Sequence, residues 1–106
     1  MGKTLKIDTS DNQKISVEFA ADGKKDKLVE NSTFLRSEAT LPTIDKLLHK
    51  NKAKIGDLEK IEVSKGSGSF TGLRVGVAIA NALSFLLKIP VNDKKVGELE
   101  ETVYNE

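Results

Sequence analysis

The sequence predicts an α/β fold, a single lobe with a mixed sheet of about five strands and two packed helices. Alternating apolar segments separated by turn residues fill the first third, which is typical of an antiparallel meander. Apolar spacing then becomes helical, and a short strand lies between two helical segments. A crossover helix implies parallel strand pairing, so the sheet is mixed. A chain of 106 residues has the size of one domain.

The meander is predicted from three strands. Leu5–Ile7 alternates and is followed by turn-forming residues at 8–12. In Ile15–Phe19 every second residue is apolar, which places these side chains on one face. Asp22-Gly23 is a strong hairpin signal, and Lys27–Glu30 is the third strand.

A first helix is predicted from Ser37 to Lys50, with apolar residues at helical spacing and Pro42 near its start. Residues 55–58 are expected to form a single turn. Ile61–Val63 then forms a strand that leads directly into the glycine-rich segment 66–74.

The second helix, Val75–Leu87, carries no charge, and only Asn81 and Ser84 in it are polar. A surface helix normally has a polar face, so this helix must be covered on more than one side. Its own small domain is expected to cover one side and a partner the other. The alternative is a helix wholly buried inside one domain.

The remainder of the chain gives weaker signals. Val91 is expected to begin a fifth strand, which the polar residues 92–95 interrupt. Val96, Leu99 and Val103 predict a weak acidic terminal helix.

Composition excludes several classes of function. The 17 basic and 16 acidic residues are interspersed, which argues against sequence-independent nucleic-acid binding. There is no cysteine, and His49 is the only histidine, so we expect no metal site and no histidine-based catalytic pair. The uncharged helix is shorter than the roughly 20 residues of a bilayer span. We therefore expect a soluble, cytoplasmic protein without a cofactor.

Two segments are candidate phosphate-binding sites. The glycine-rich segment 66–74 opens a helix, where backbone amides point at an anion. Asp8-Thr9-Ser10, at the end of the first strand, is the candidate contact for a metal-bound phosphate. The spacing matches neither the nucleotide-triphosphate loop nor the dinucleotide fingerprint. The alternatives are a tight strand-to-helix turn and an Asx turn. The candidates are Asp8, Thr9, Ser10, Gly66, Gly68, Ser69, Thr71, Gly72 and Arg74.

Four segments resemble the TsaB (YeaZ) family, over roughly residues 4–91. Residues 6–10 read KIDTS, similar to the family's opening strand, and residues 36–44 read RSEATLPTI, similar to its first helix. Residues 66–74 read GSGSFTGLR, where the family has GPGSFTGLR. Residues 75–90 resemble the helix that follows. The chain departs from the family at Arg36, usually histidine, at Ser67, usually proline, and in its polar final strand.

The resemblance implies a lobe of the actin, Hsp70 and sugar-kinase (ASKHA) fold. It also implies a non-catalytic accessory role in making threonylcarbamoyl-adenosine (t6A) in bacterial transfer RNA. Members bind the transferase TsaD through helices of the N-terminal lobe, the ATPase TsaE joins them, and homodimers use the same face. Transfer RNA would be reached only through the complex.

On this resemblance, residues 1–106 correspond to an N-terminal lobe, with the second lobe absent. The resemblance is compatible with a naturally short form and with a fragment of a longer protein. The expected contact residues are Leu41, Ile44, Leu48, Val75, Ile79, Leu83 and Leu86. The alternative function is a small phosphate- or nucleotide-binding enzyme of the same superfamily, which would use residues 8–10 and 66–72.

Overall fold

The central sheet has four strands, β1 (Thr4–Asp8), β2 (Lys14–Ala21), β3 (Lys24–Asn31) and β4 (Lys60–Val63). The computed structural model describes residues 2–11, 13–31, 36–65 and 70–101. Strand order is β3-β2-β1-β4, with β1 antiparallel to β2 and parallel to β4. The predicted meander and the mixed sheet are both confirmed.

The β2–β3 hairpin turns at the predicted Asp22-Gly23 pair. Both residues have positive φ, 53° and 78°. Positive φ at both central positions defines the type I′ turn, whose twist matches that of the flanking strands. The dipeptide therefore fixes the β2–β3 register, in which Ala21 pairs with Lys24.

The two faces of the sheet differ in polarity because alternate side chains point to opposite sides. Leu5, Ile7 and Val17 lie on one face and are fully buried. Lys6 lies on the other, paired in register with Glu18, which in turn pairs with Lys27. Opposite charges on neighbouring strands suit a face in contact with water.

Both helices pack on the apolar face. Helix α1 (Arg36–Lys50) lies against β2 and β3, and helix α2 (Phe70–Leu87) lies against β4 and β1. One core cluster joins the two helices to the sheet. Its residues include Leu5, Ile7, Val17, Ile44, Leu47, Ile61, Val77 and Leu83.

Helix α1 is also attached to β3 by polar contacts. Lys46 lies 2.6 Å from Glu30, and Lys50 lies 3.5 Å from Asp26. The Asn51 side chain donates to Asp26 at 2.9 Å. Exposed ion pairs of this kind contribute little to stability, so the apolar core provides most of it. Pro42 lies beyond the first turn of α1, further into the helix than its spacing predicts.

Helix α2 ends in a left-handed cap. The amide of Ile89 donates to the Ser84 carbonyl at 3.1 Å, and Lys88 between them has a φ of 57°. This is the Schellman arrangement, in which a left-handed residue stops the helix. The Ser84 hydroxyl adds a 2.6 Å bond to the Ile89 carbonyl, so the helix ends before Pro90 as predicted.

Two weaker expectations concern residues 91–101: the fifth strand is reduced to one residue pair, and the terminal helix is wrong in the described part of the chain. The fifth strand is a single parallel bridge between Val91 and Ile61, since Asn92 has a φ of 52° and turns the chain away. No helix forms over residues 96–101. Gly97 there has a φ of 94°, which is incompatible with a right-handed helix. Val103 lies outside the described residues.

Candidate functional site

Among the candidate residues Asp8, Thr9 and Ser10 in the turn after β1, Thr9 lies against the start of α2. Asp8 Oδ1 accepts bonds from the Ser10 amide at 2.9 Å and from the Ser10 hydroxyl at 2.5 Å. This is an Asx turn, the structural alternative stated for this segment. One carboxylate oxygen of Asp8 is therefore used within the turn itself.

Thr9 connects the end of β1 to α2. Its side chain is fully buried, and its hydroxyl donates to the Gly72 carbonyl. The same oxygen accepts from the Gly76 amide at 3.1 Å. Gly72 and Gly76 are four residues apart, the spacing at which a carbonyl and an amide face each other along an α-helix. One hydroxyl thus bridges the two groups along the first turns of α2.

Glycine at position 76 makes this approach possible. A Cβ atom there would lie 2.5 Å from Thr9 Oγ1 and 3.4 Å from Val63 Cγ2. Real Cβ atoms essentially never approach another heavy atom to 2.5 Å, whereas 3.4 Å is a van der Waals contact. Thr9 and Gly76 thus form a close contact between the end of β1 and α2, and this contact requires glycine at position 76.

The glycine-rich segment 66–74 lies partly in α2, from Phe70 onward, and partly outside the described residues. Thr71, Gly72 and Arg74 belong to α2 rather than to the predicted loop, because the helix begins at Phe70. Contact with Thr9 offsets the low helix propensity of glycine there. The candidates Gly66, Gly68 and Ser69 lie outside the described residues. Arg74 is exposed on the outer side of the helix.

Helix α2 has one buried and one exposed face. Leu73, Val77 and Leu83 are buried against the chain's own core. Phe85 and Leu86 are each 72% exposed, and Ala78 and Ala82 are exposed beside them. The prediction that this lobe covers only one side of the helix is therefore confirmed. We call Ala78, Ala82, Phe85 and Leu86 the α2 face.

The expected contact residues do not lie on one surface. Ile44, Leu48 and Leu83 belong to the buried core, where they pack α1 and α2 onto the sheet. Val75 and Ile79 are half-buried. Leu41 and Leu86 are the expected contacts with large exposed fractions, 48% and 72%.

Phe85 was not among the expected contacts, although it is as exposed as Leu86. The signal was present in the sequence. Positions 78, 82 and 85 lie at helical spacing, opposite the stripe that contains Leu73, Val77 and Ala80.

A second polar cluster holds the segment after α2 against that helix. The Asn81 side chain donates to the Glu100 carbonyl at 2.9 Å and accepts from the Glu100 amide at 2.8 Å. The Glu100 carboxylate accepts from Asn92 at 2.9 Å and lies 3.3 Å from Lys65 Nζ. Asn92 also bonds to both the amide and the carbonyl of Val63, at 2.8 and 3.2 Å. These bonds attach the segment 92–100 to β4 and α2. The bonds to Glu100 also satisfy the Asn81 side chain, which explains why asparagine is tolerated in an apolar helix.

Glu100 is a buried carboxylate, 4% exposed. Burial raises its pKa, but hydrogen bonds from Asn92 and from the Glu101 amide, together with Lys65, outweigh burial and hold the pKa below its usual 4.5. The folded state therefore binds this proton less readily than the unfolded state.

The sign of this shift predicts an acid-sensitive contribution to stability. A lowered folded-state pKa stabilises the fold above about pH 4.5, and the contribution is lost as the pH falls through the lowered value. We expect Glu100→Gln to flatten this part of the stability–pH curve, measured by urea unfolding between about pH 6 and pH 3. If the free energy of unfolding fell equally with pH in the wild type and in Glu100→Gln, Glu100 would not be the source of the acid sensitivity.

Comparison with known proteins agrees with this architecture. The family described as "TsaD: tRNA N6-adenosine threonylcarbamoyltransferase" matches residues 35–99. The tRNA threonylcarbamoyladenosine biosynthesis protein TsaB of Bacillus subtilis is 37% identical over 74% of this chain, and that of Haemophilus influenzae is 33% identical over 82%. The solved structure of YeaZ from Pseudomonas aeruginosa superposes with a TM-score of 0.82 at 27% identity, over 90% of this chain.

This chain belongs to the TsaB (YeaZ) family. It covers 34% and 36% of the two TsaB relatives and 44% of the YeaZ chain, so it spans about a third of the length of the curated relatives. The matched part contains both helices that carry the exposed residues Leu41, Phe85 and Leu86.

Two further observations concern this TsaB-family chain. Within residues 2–11, 13–31, 36–65 and 70–101, no group of three or more histidine, cysteine or carboxylate side chains could hold a metal ion. In the same ranges no helix has the length and apolar character needed to cross a membrane.

Proposed function

We propose that this chain is the docking lobe of a non-catalytic accessory subunit in the synthesis of t6A in transfer RNA. It binds a TsaD-type threonylcarbamoyltransferase through the α2 face. Family membership supports the pathway, and the exposure of Phe85 and Leu86 supports the docking surface.

The composition of the α2 face suits a protein partner. Two large apolar side chains stand beside alanines that permit close backbone approach, and no charge occurs from Val75 to Leu87. Arg74 and Lys88 are exposed at the two ends of this uncharged stretch. Interfaces commonly combine an apolar centre with a polar rim, so we expect acidic residues around the matching partner surface.

The contacts of residues 8–10 favour a scaffold over the alternative of a nucleotide-binding enzyme. The Thr9 hydroxyl is bonded to Gly72 and Gly76, and Asp8 Oδ1 is bonded to Ser10. The Thr9 hydroxyl and Asp8 Oδ1 thus hold the fold together, and a phosphate or magnesium ion that bound to either of them would have to displace those bonds. We accordingly expect negligible heat on calorimetric titration of this chain with ATP and magnesium.

We further propose that TsaE joins the complex with TsaD, that the α2 face also accommodates a second copy of the chain, and that transfer RNA is reached through the complex. The setting is cytoplasmic.

The α2 face can be tested by charge substitution. Phe85→Asp and Leu86→Asp should each weaken binding to a purified TsaD-type transferase by at least about thirtyfold, because buried aromatic and aliphatic anchors dominate interface energy. Both side chains are mostly in water, so thermal stability should change little. Calorimetry and size-exclusion chromatography measure the association.

Val29→Asp is the matched control, since Val29 is 47% exposed on the opposite face of the sheet. It should leave binding unchanged. Equal loss in all three variants, or no binding by the wild type, would overturn the proposal. Leu83→Glu is unsuitable for this test because Leu83 is only 8% exposed and belongs to the core.

A further inference from the structure

The orientation of α2 decides which of its side chains reach a partner. Each residue turns an α-helix by about 100°, so a shift of one residue in the seating of α2 would rotate Phe85 away from its present direction. Packing of Leu73, Val77 and Leu83 sets the buried side of α2. The hydrophobic effect itself is non-directional, so a hydrogen bond between the sheet and the helix adds a directional restraint on smaller shifts.

Thr9 supplies that restraint. Its buried hydroxyl bonds to a carbonyl and an amide of α2, at Gly72 and Gly76. Sliding of the helix along its axis, or rotation about it, would break these bonds. The Cβ-free surface of Gly76 admits Thr9 where a larger residue would clash. Later in α2, Ser84 bonds to Ile89, and Asn81 bonds to Glu100, which is linked to β4 through Asn92. The contact of Thr9 with α2 needs no such intermediate residue.

We propose that Thr9 is a positioning residue for docking, which seats α2 on the end of β1 so that the α2 face is presented in one orientation. This rests on the proposed function. Without the hydroxyl, α2 samples other seatings, and the apparent affinity for the partner falls with the fraction of molecules that are correctly seated. The side chain acts through the helix and does not touch the partner.

The test compares Thr9→Val, which keeps the shape and removes the hydroxyl, with Thr9→Ser, which keeps the hydroxyl. Binding to a purified TsaD-type transferase is measured by calorimetry at a temperature where every variant is folded by circular dichroism. We expect about tenfold weaker binding for Thr9→Val, as for the loss of one or two buried hydrogen bonds, and near wild-type binding for Thr9→Ser. Amide exchange should accelerate in α2 and not in α1.

Thr43→Val is the matched control for a general loss of stability. Thr43 is 4% exposed, and its hydroxyl donates to the Ala39 carbonyl at 2.8 Å inside α1. Whatever its effect on stability, Thr43→Val should keep the wild-type affinity, because its bond lies within α1. If Thr9→Val does not fold, Thr9→Ala replaces it with the same expected loss.

Wild-type affinity in Thr9→Val, or the same loss in Thr43→Val, would overturn the positioning role. Phe85→Asp separates the two proposals in the same assay. If Phe85→Asp loses binding and Thr9→Val does not, only the positioning role fails; if neither loses binding, the docking face itself is wrong.

Discussion

Replacing Gly76 with alanine is expected to destabilise this chain by about 2 kcal/mol, although glycine-to-alanine changes inside helices usually stabilise by up to about 1 kcal/mol. The added Cβ would lie 2.5 Å from Thr9 Oγ1. Thr9 cannot rotate away without breaking its bonds to Gly72 and Gly76, and α2 cannot retreat without losing core contacts of Val77 and Leu83. The cost of overpacking therefore exceeds the gain in helix propensity.

Urea unfolding measures this effect, and Gly56→Ala is the control. A Cβ at Gly56 would meet no atom within 4 Å, so that substitution should change the free energy of unfolding by less than about 0.5 kcal/mol. In a Thr9→Ala background the cost of Gly76→Ala should shrink, because the clashing hydroxyl is gone. Additive effects of the two substitutions would refute the proposed clash.

Local patterns were sufficient to predict most of the fold. The alternation in β2, the Asp22-Gly23 turn and the helical spacing of Ile44 and Leu47 each follow from neighbouring residues. Their physical causes, the pleat, the positive φ of the turn and the 3.6-residue helical period, act over short distances along the chain.

The site was predicted less completely because its contacts are distant in sequence. Thr9 and Gly76 are 67 positions apart, and nothing local announces that a threonine after β1 will meet a glycine in α2. The sequence predicts that the lobe covers one side of α2 but does not decide which side it is. The predicted interface therefore includes Leu83, which is buried, and omits Phe85, which is exposed.

The end of the predicted fifth strand also depends on a contact that local sequence does not reveal. Val91 continues the sheet by one bridge, and then a side chain takes the place of the next backbone pair. Asn92 Oδ1 accepts from the Val63 amide, and its Nδ2 donates to the Val63 carbonyl. Propensity disfavours asparagine in a strand, and it gives no indication that the side chain will satisfy the strand's hydrogen bonds.

Asn92→Ala should consequently be among the most destabilising single substitutions outside the apolar core, at about 3 kcal/mol. Three hydrogen bonds disappear, including the 2.9 Å bond to the buried Glu100 carboxylate, which is left with Lys65 and the Glu101 amide as partners. Alanine is also unfavourable at the φ of 52° that asparagine tolerates.

Asn92→Gly separates these causes. Glycine accepts the positive φ but makes none of the side-chain bonds, so it should lose about 1 kcal/mol less than alanine in urea unfolding at neutral pH. Asp93→Ala, at an exposed neighbouring position, should be close to neutral. If Asn92→Ala were as mild as Asp93→Ala, the side chain would not be replacing a strand, and the attachment of residues 92–100 would depend on Asn81 and Val91 instead.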